Sequence, residues 1–213
     1  MGIILNGILG GVSGKVAGVV GSSWKNKQYL RRYAMPANPN TTLQQAQRTK
    51  MAQGVAMGKA IVGPVFNKYV DKFEKGMSGF NRFIKENMAQ FTTPITFGSV
   101  FLTRGKLWAL QGANATSSVH AIHIGFQGTN LGANGASTDH TYAAAIDNAT
   151  GLWYFPSAES TRAASAITIT PGAALDGHIF TAYAWAAKYS LSSPTLLEMI
   201  SDSVAVTYIT LQA

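Results

Sequence analysis

Between Trp24 and Tyr33 this chain alternates cations with aromatic rings: Trp24, Lys25, Lys27, Tyr29, Arg31, Arg32 and Tyr33. Such cations meet phosphates while the rings stack on unpaired bases, which is the composition of a nucleic-acid-binding surface. The competing role is packing, with Trp24 and Tyr29 pairing across a hairpin and Lys25, Lys27, Arg31 and Arg32 solvated. We read packing first and nucleic-acid contact second. Gly14, Lys15, Gly18, Gly21 and Arg48 flank the stretch, and together these residues form the expected contact surface for partners.

Other candidate chemistry is thinner. His120 and His123 are the nearest thing to a ligand pair, but three residues apart on a strand they would point to opposite faces. Ser137 with Asp139-His140 contains nucleophile and base types, yet it lies in a Gly/Asn/Ser/Thr-rich loop where such residues form turns. Residues 10–16, GGVSGKV, resemble a phosphate loop only in part, because Leu9 and Val16 stand where the spacing needs Gly and Ser or Thr. The chain has no cysteine, which removes thiolate catalysis, disulfides and cysteine-based zinc sites. The expectation is a non-enzymatic protein with no catalytic residues, no cofactor, no metal and no small-molecule substrate.

The elements that would carry these residues begin with a hairpin over Val16–Ala34, turning at residues 25–28. Glycine inside a strand often marks the approach of another backbone, so Gly14, Gly18 and Gly21 suggest a hairpin completed from outside. After Pro36 and Pro39, Thr41 with Gln44, or Thr42 with Gln45, forms a capping box for a helix over 42–62. Leu43, Ala46, Met51, Val55 and Ala56 make its apolar stripe. Gly63-Pro64 separates it from a second helix carrying Val65, Phe66, Tyr69, Val70 and Phe73. Ser78 caps a third, with Phe80, Phe83, Ile84, Met88 and Phe91.

From Thr92 the period changes to two. Strands are expected at 96–102, 106–111, 119–126, 141–146, 152–155, 166–170, 178–188 and 203–211, the pattern of an antiparallel immunoglobulin- or fibronectin-like β-sandwich. The Ser201-Asp202-Ser203 run reads as a turn whose Asp satisfies nearby backbone N–H groups. The whole is therefore an α+β chain: a basic Gly-rich arm, hairpin and three helices over 1–91, then a sandwich over 92–213.

Charge follows the same division. Of the net +8, residues 1–90 carry +10 and the rest −2, so a basic arm precedes a near-neutral body. Charged residues are only 12% of the chain, about half the usual share. Low charge and abundant small residues suit subunits that bury much of their surface against neighbours. The Gly-rich apolar start lacks a basic n-region, so no secretory signal is expected, and its glycines and Lys15 argue against a membrane span.

At Ser13, Gly14, Lys15, Val16, Val19, Val20, Gly21, Ser22, Ser23, Trp24 and Lys25, then Tyr29 and Arg31, then Thr41, Gln44 and Arg48, the chain resembles an uncharacterised family. Its members come from environmental bacteria and their phages. Ala17 followed by Gly18 stands where that pattern has a single glycine. The family's fibronectin-like C-terminal half ends in a Ser-Asp-Ser turn and a last strand, similar to Ser201–Ser203 and residues 204–211. The resemblance implies a non-enzymatic structural subunit of a virion or comparable particle or filament, localised in that assembly, with itself or other particle proteins as partners. The alternatives are an architectural nucleic-acid-associated protein and a surface-exposed binding module using the sandwich loops.

Overall fold

Branched and aromatic residues alternate with polar ones after Gly14, and the segment folds as strands. In a computed structural model, which describes residues 2–4, 13–24, 27–35, 37–71, 76–92, 94–190 and 197–212, four strands come first: β1 (Gly2–Ile4), β2 (Gly14–Val16), β3 (Val19–Trp24) and β4 (Lys27–Arg32). They form one antiparallel sheet in the order β1-β4-β3-β2. The expected hairpin is thus the centre of a larger sheet. Trp24 pairs with Lys27 and Ser22 with Tyr29, so Lys27 and Gln28 belong to β4 rather than to the turn; Lys25 and Asn26 lie outside the described residues. Val16 pairs with Val19 across a two-residue turn, in which Ala17 has a left-handed φ of 51°. Two-residue hairpin turns demand that sign of φ at their first central position, where glycine fits without strain.

The chain divides into two compact units, Met1–Thr42 and Leu43–Ala213, a boundary well before the expected one at residue 91. The physical reason lies in the second unit's layers. Its first helix, α1 (Thr42–Ile61), starts where the Thr-rich capping sequence places it. Its buried face is Gly54, Met57, Gly58 and Ile61, not the expected stripe: Leu43 is 82% exposed and Met51 45%. The glycines that would weaken a helix here let aromatic rings approach its backbone. A Cβ on Gly54 would lie 2.4 Å from Phe91 Cε2, and one on Gly58 2.8 Å from Phe80 Cε2.

Gly63-Pro64 does not break the helix. The chain continues as a π-wound segment, Val62–Val70, in which Asp71 N donates to Phe66 O at 2.9 Å. Proline lacks an N–H and crowds the carbonyl four residues back, and the wider winding accommodates it. The expected first two helices are therefore one continuous helical stretch. The next, α2 (Gly79–Asn87), is capped by Ser78, whose side chain accepts from Asn81 N. Buried Asn87 anchors its end, bonding Phe83 O, Phe101 O and Phe101 N.

The remaining strands are β5 (Asn114–Ser118), β6 (Ala121–Gly125), β7 (His140–Asp147), β8 (Trp153–Tyr154), β9 (Ser160–Thr161), β10 (Ala166–Ile169), β11 (Ile179–Tyr189), β12 (Leu197–Ile200) and β13 (Val204–Thr210). One sheet runs β10-β6-β5; the other has β11 and β7 at its centre, with β12 and β13 both on β11 and β8 and β9 both on β7. All named pairings are antiparallel. The expected strands at 96–102 and 106–111 do not form: the first holds a 3-10 turn at Phe97–Ser99, and the second a single bridge from Leu107 to Ser201. The expected strand at 119–126 begins only at Ala121, because Val119-His120 is the turn from β5.

The result is sandwich-like, with a third layer. Between the sheets lie Ile122, Ile124, Phe126, Ala143, Ala145, Ile167, Ile169, Phe180, Ala182 and Ala184. On the other side of β7 and β11, Tyr142, Ala144, Ile146, Tyr183, Trp185 and Ala187 pack with Ile61, Val65, Phe66, Tyr69, Val70, Phe83 and Phe91 from the helical layer. An immunoglobulin-like sandwich keeps both outer faces in water. Here β7 and β11 are buried on both faces, so the helices are part of the core rather than a separate region.

Ser201-Asp202-Ser203 is more than a local turn. Ser201 Oγ accepts from Ala186 N (2.9 Å), Ser203 Oγ from Leu102 N (2.9 Å), and Asp202 Oδ1 from Gly105 N (2.9 Å). Ser203 and Asp202 thereby fasten the irregular 102–105 segment, and Ser201 ties the run to β11.

Candidate functional site

Strand pairing sorts the N-terminal residues by face, because directly opposed residues in an antiparallel pair project to the same side. Lys15, Val20 and Arg31 are in register, as are Ser22 with Tyr29 and Trp24 with Lys27. One face therefore collects Lys15, Lys27 and Arg31 with Trp24 and Tyr29. Tyr33 joins them: Lys15 Nζ lies 3.8 Å from the centre of its ring. Its backbone N–H donates to Gly18 O at 2.8 Å, which holds the chain in line after β4. The opposite face carries Val16, Val19, Leu30 and Arg32.

Several expectations change on this register. Trp24 opposes Lys27, not Tyr29, so the two rings are diagonal neighbours rather than a direct pair. Arg32 is on the face away from Lys27 and Arg31. Arg48 belongs to α1, in the second unit, and Lys25 is outside the described residues. A Cβ on Gly14 (φ +96°) or Gly18 would meet no atom of the described residues within 4 Å, so nothing among those residues crowds them, while Gly21 is buried at the sheet's centre. Gly21 is the sole buried residue among those whose exposure is described in the first unit. Trp24 is 66% exposed, and Val16 61%.

The histidines do not converge. His120 sits in a turn with φ 54° and meets Asp176 at 2.9 Å, whereas His123 bridges Ser118 (2.7 Å) and Thr168 (2.9 Å). Asp139 and His140 point apart along the chain. Asp139 is buried against Arg162 (Nε to Oδ2, 3.2 Å), while His140 reaches Glu159 (3.2 Å). No group of three metal-ligating side chains occurs among the described residues, and no helix there is long and apolar enough to cross a membrane.

A family model matches residues 11–187. The chain belongs to DUF6266, a family of unknown function. Nothing matches among curated proteins, and nothing among solved structures. The DUF6266 match takes in β2 to β4, the helical layer and the sheets as far as β11.

In this DUF6266 chain a second set of polar residues comes together that sequence reading missed. Lys68 and Tyr69 from the π-wound segment, Tyr142 from β7, Trp185 from β11 and Glu159 from the β8–β9 connection line a cavity of about 260 Å³. Lys68 Nζ is 2.8 Å from Glu159 Oε1 and lies 5.1 Å and 5.2 Å from the ring centres of Tyr69 and Tyr142. Burial works against the Lys68 charge, but the hydrogen bond to Glu159 and the neighbouring Tyr69 phenol hold its ammonium above the ordinary value. For Glu159 burial is again outweighed, here by hydrogen bonds from Lys68, Tyr142 and His140, and the carboxyl titrates below its usual range. Burial pushes Tyr69 up to about 12, and burial with the Tyr189 hydroxyl raises Tyr142 as well. At neutral pH the group is an ion pair flanked by neutral phenols. The one signal in the sequence was the proline of a helix that does not break.

Proposed function

We propose that the protein is a non-enzymatic structural subunit that self-associates or co-assembles through its N-terminal sheet. The observation that carries this reading is that, among the described residues, the sheet has no core of its own: in β2, β3 and β4 every residue but Gly21 is exposed or half-buried, and no described atom lies within 4 Å of where a Cβ on Gly14 of the edge strand β2 would be. Isolated sheets without a covered apolar face are marginal in water, and an open edge accepts a further strand. The resemblance of the 13–48 motif to bacterial and phage proteins is what favours a virion or comparable particle or filament as the assembly. Lys15, Lys27 and Arg31 would then meet acidic protein surface, Trp24, Tyr29 and Tyr33 supplying apolar area.

The test is the mass of the full-length protein by light scattering and sedimentation, beside a Lys15→Glu, Lys27→Glu, Arg31→Glu variant and an Arg32→Glu control on the other face. Concentration-dependent oligomers that the triple variant loses and the control keeps are expected. A wild-type monomer at high concentration, with no partner recovered from the native source, would overturn the proposal.

A second reading has its own observation: three cations and three rings share one sheet face, the arrangement used for stacking on single-stranded nucleic acid. Retention of single-stranded DNA that falls steeply with salt and vanishes in the triple variant would reverse the order of the two.

A further inference from the structure

The Ser201-Asp202-Ser203 run fastens a segment that carries two cations. Arg104 and Lys106, on either side of Gly105, line a cavity of about 330 Å³ together with Arg82 of α2 and with Glu198 and Met199 of β12. The segment is held from several directions. Asp202 Oδ1 accepts from Gly105 N (2.9 Å), Ile200 O from Leu107 N (3.1 Å) and Ser201 O from Thr103 Oγ1 (2.9 Å). Gly105 itself lies too close to the Ile200 carbonyl for a Cβ. Arg104 is fixed as well: its Nη1 donates to Glu86 Oε2 at 2.8 Å, and its guanidinium carbon lies 4.4 Å from the centre of the Phe101 ring. That ion pair uses one of the five guanidinium N–H donors.

We propose that this cavity binds the phosphate group of a small phosphomonoester. Three cations against the one carboxylate of Glu198 leave +2 in the wall; Glu86, which is not part of the wall, offsets one charge on the Arg104 side. Like charges gathered by a fixed backbone repel, and a concave surface of one sign focuses its field on a counter-ion. The charged groups are within reach of solvent, since Arg104, Lys106 and Glu198 are exposed and Arg82 half-buried. A phosphomonoester carries about −1.5 to −2 at pH 7 and three acceptor oxygens, which suit donors arriving from two segments, whereas a planar carboxylate offers two oxygens. Arginine forks match phosphate in two-point contact. The volume lies at the lower end of the roughly 300–1,000 Å³ of small-molecule sites, so a small organic group fits beside the phosphate, against Met199. Glu198 repels a second anionic group, which limits the ligand to one phosphate. The proposal rests on the second unit alone and does not depend on assembly through the N-terminal sheet.

The experiment follows the backbone amides of the full-length protein by ¹⁵N-correlated NMR at constant ionic strength and about pH 7.5, where the monoester is a dianion. The probes are phenyl phosphate, inorganic phosphate, dimethyl phosphate and acetate, each to about 10 mM, ten times a 1 mM constant. Phenyl phosphate and inorganic phosphate should move the Gly105, Lys106 and Met199 signals saturably, and dimethyl phosphate and acetate should bind about tenfold more weakly or not at all. Arg104→Gln and Lys106→Gln, both at exposed side chains, should each weaken phenyl phosphate binding about tenfold. Lys59→Gln removes an equal charge from an exposed position on α1 and should leave binding unchanged. Should Arg104→Gln unfold with the loss of its Glu86 pair, Lys106→Gln carries the test. Three results would overturn the proposal: no saturable shift with phenyl phosphate, equal binding of dimethyl phosphate, which would point to a phosphodiester strand instead, or a loss in Lys59→Gln as large as in the cavity variants.

Discussion

Arg162 is a fully buried guanidinium, and replacing it with Met tests how the second unit holds its irregular 127–139 loop. Its Nε lies 3.2 Å from Asp139 Oδ2, both side chains being essentially without exposure, and its Nη2 donates to Trp108 O. Asp139 in turn accepts from Ala136 N at 2.7 Å, and Arg162 N donates to Asp139 O at 2.9 Å. Burial lowers the Arg162 pKa, with Asp139 opposing the shift. The guanidinium therefore closes the 127–139 loop from beneath. Arg162→Met keeps length and apolar stem but leaves the Asp139 carboxylate buried without its cation. Breaking one side of such a pair costs about 3–5 kcal/mol, against a total stability of about 5–15 kcal/mol. For a unit of this size, about 2–4 °C per kcal/mol, the expected fall in Tm is about 6–20 °C. Urea denaturation of residues 43–213 measures the loss directly. Arg162→Met with Asp139→Asn should recover part of it, since no uncompensated charge remains. A single-variant loss under about 1 kcal/mol, or a double variant as unstable as the sum of the singles, would refute the reasoning.

The remaining predictions concern acid stability, the first turn and the division of the chain. Asp147 is buried; burial would raise its pKa, but bonds from Thr150 (2.7 Å), His178 (2.8 Å) and Ala149 N (2.9 Å) hold it below the ordinary carboxylate range. Because the folded value is the lower one, its contribution is complete above the unfolded value of about 3.9 and is lost as pH falls through the folded value. Asp147→Ala should cost about 3 kcal/mol at pH 7 and flatten the acid limb of a stability-against-pH curve; an unchanged limb would count against it. Ala17→Gly should stabilise the first sheet by about 1 kcal/mol, since the left-handed turn residue no longer carries a Cβ, visible as slower amide exchange across β2 and β3. Residues 43–213 should melt cooperatively when expressed alone. Residues 92–213 should not, because their removal from the helices bares Tyr142, Ile146, Tyr183 and Trp185; a cooperative transition for that fragment would contradict the three-layer core.

What the sequence made legible was the local chemistry. Ser78 caps α2 because a hydroxyl three residues before a free N–H needs no tertiary information, and β7, β10, β11 and β13 follow from dense runs of apolar residues. The misses share one cause. Leu43 and Met51 fit a helical stripe, yet both are exposed, whereas Gly54 and Gly58 are the contact face because Phe80 and Phe91 arrive from 22 to 37 residues further on. Pro64 signals a helix end by its missing donor, but the π winding that absorbs it is stabilised by Val65, Phe66, Tyr69 and Val70 packing on the sheet. Trp185 and Glu159 carry no spacing that relates them to Lys68. A site assembled from a helical segment, two strands and a loop leaves no linear pattern.

The two units therefore differ in how their glycines are used, and that difference bears on where function resides. In the second unit Gly54, Gly58, Gly105 and Gly128 each meet another part of the chain closer than a Cβ allows, so they are already spent on its own packing, and substitutions there should be read as stability effects. In the first unit a Cβ on Gly14 or Gly18 would meet no described atom within 4 Å. Gly14 nevertheless needs its positive φ, so Gly14→Val would strain the backbone and report on folding. Gly18 has neither a positive φ nor a described atom within 4 Å of where a Cβ would lie, and Gly18→Val is the cleaner probe: a side chain there leaves the isolated sheet intact and alters only what can lie against its β2–β3 end. If oligomers persist unchanged in that variant while the Lys15, Lys27 and Arg31 substitutions dissolve them, association runs through the charged aromatic face. If Gly18→Val dissolves them too, the contact includes the turn, and close backbone approach at that end is part of the interface.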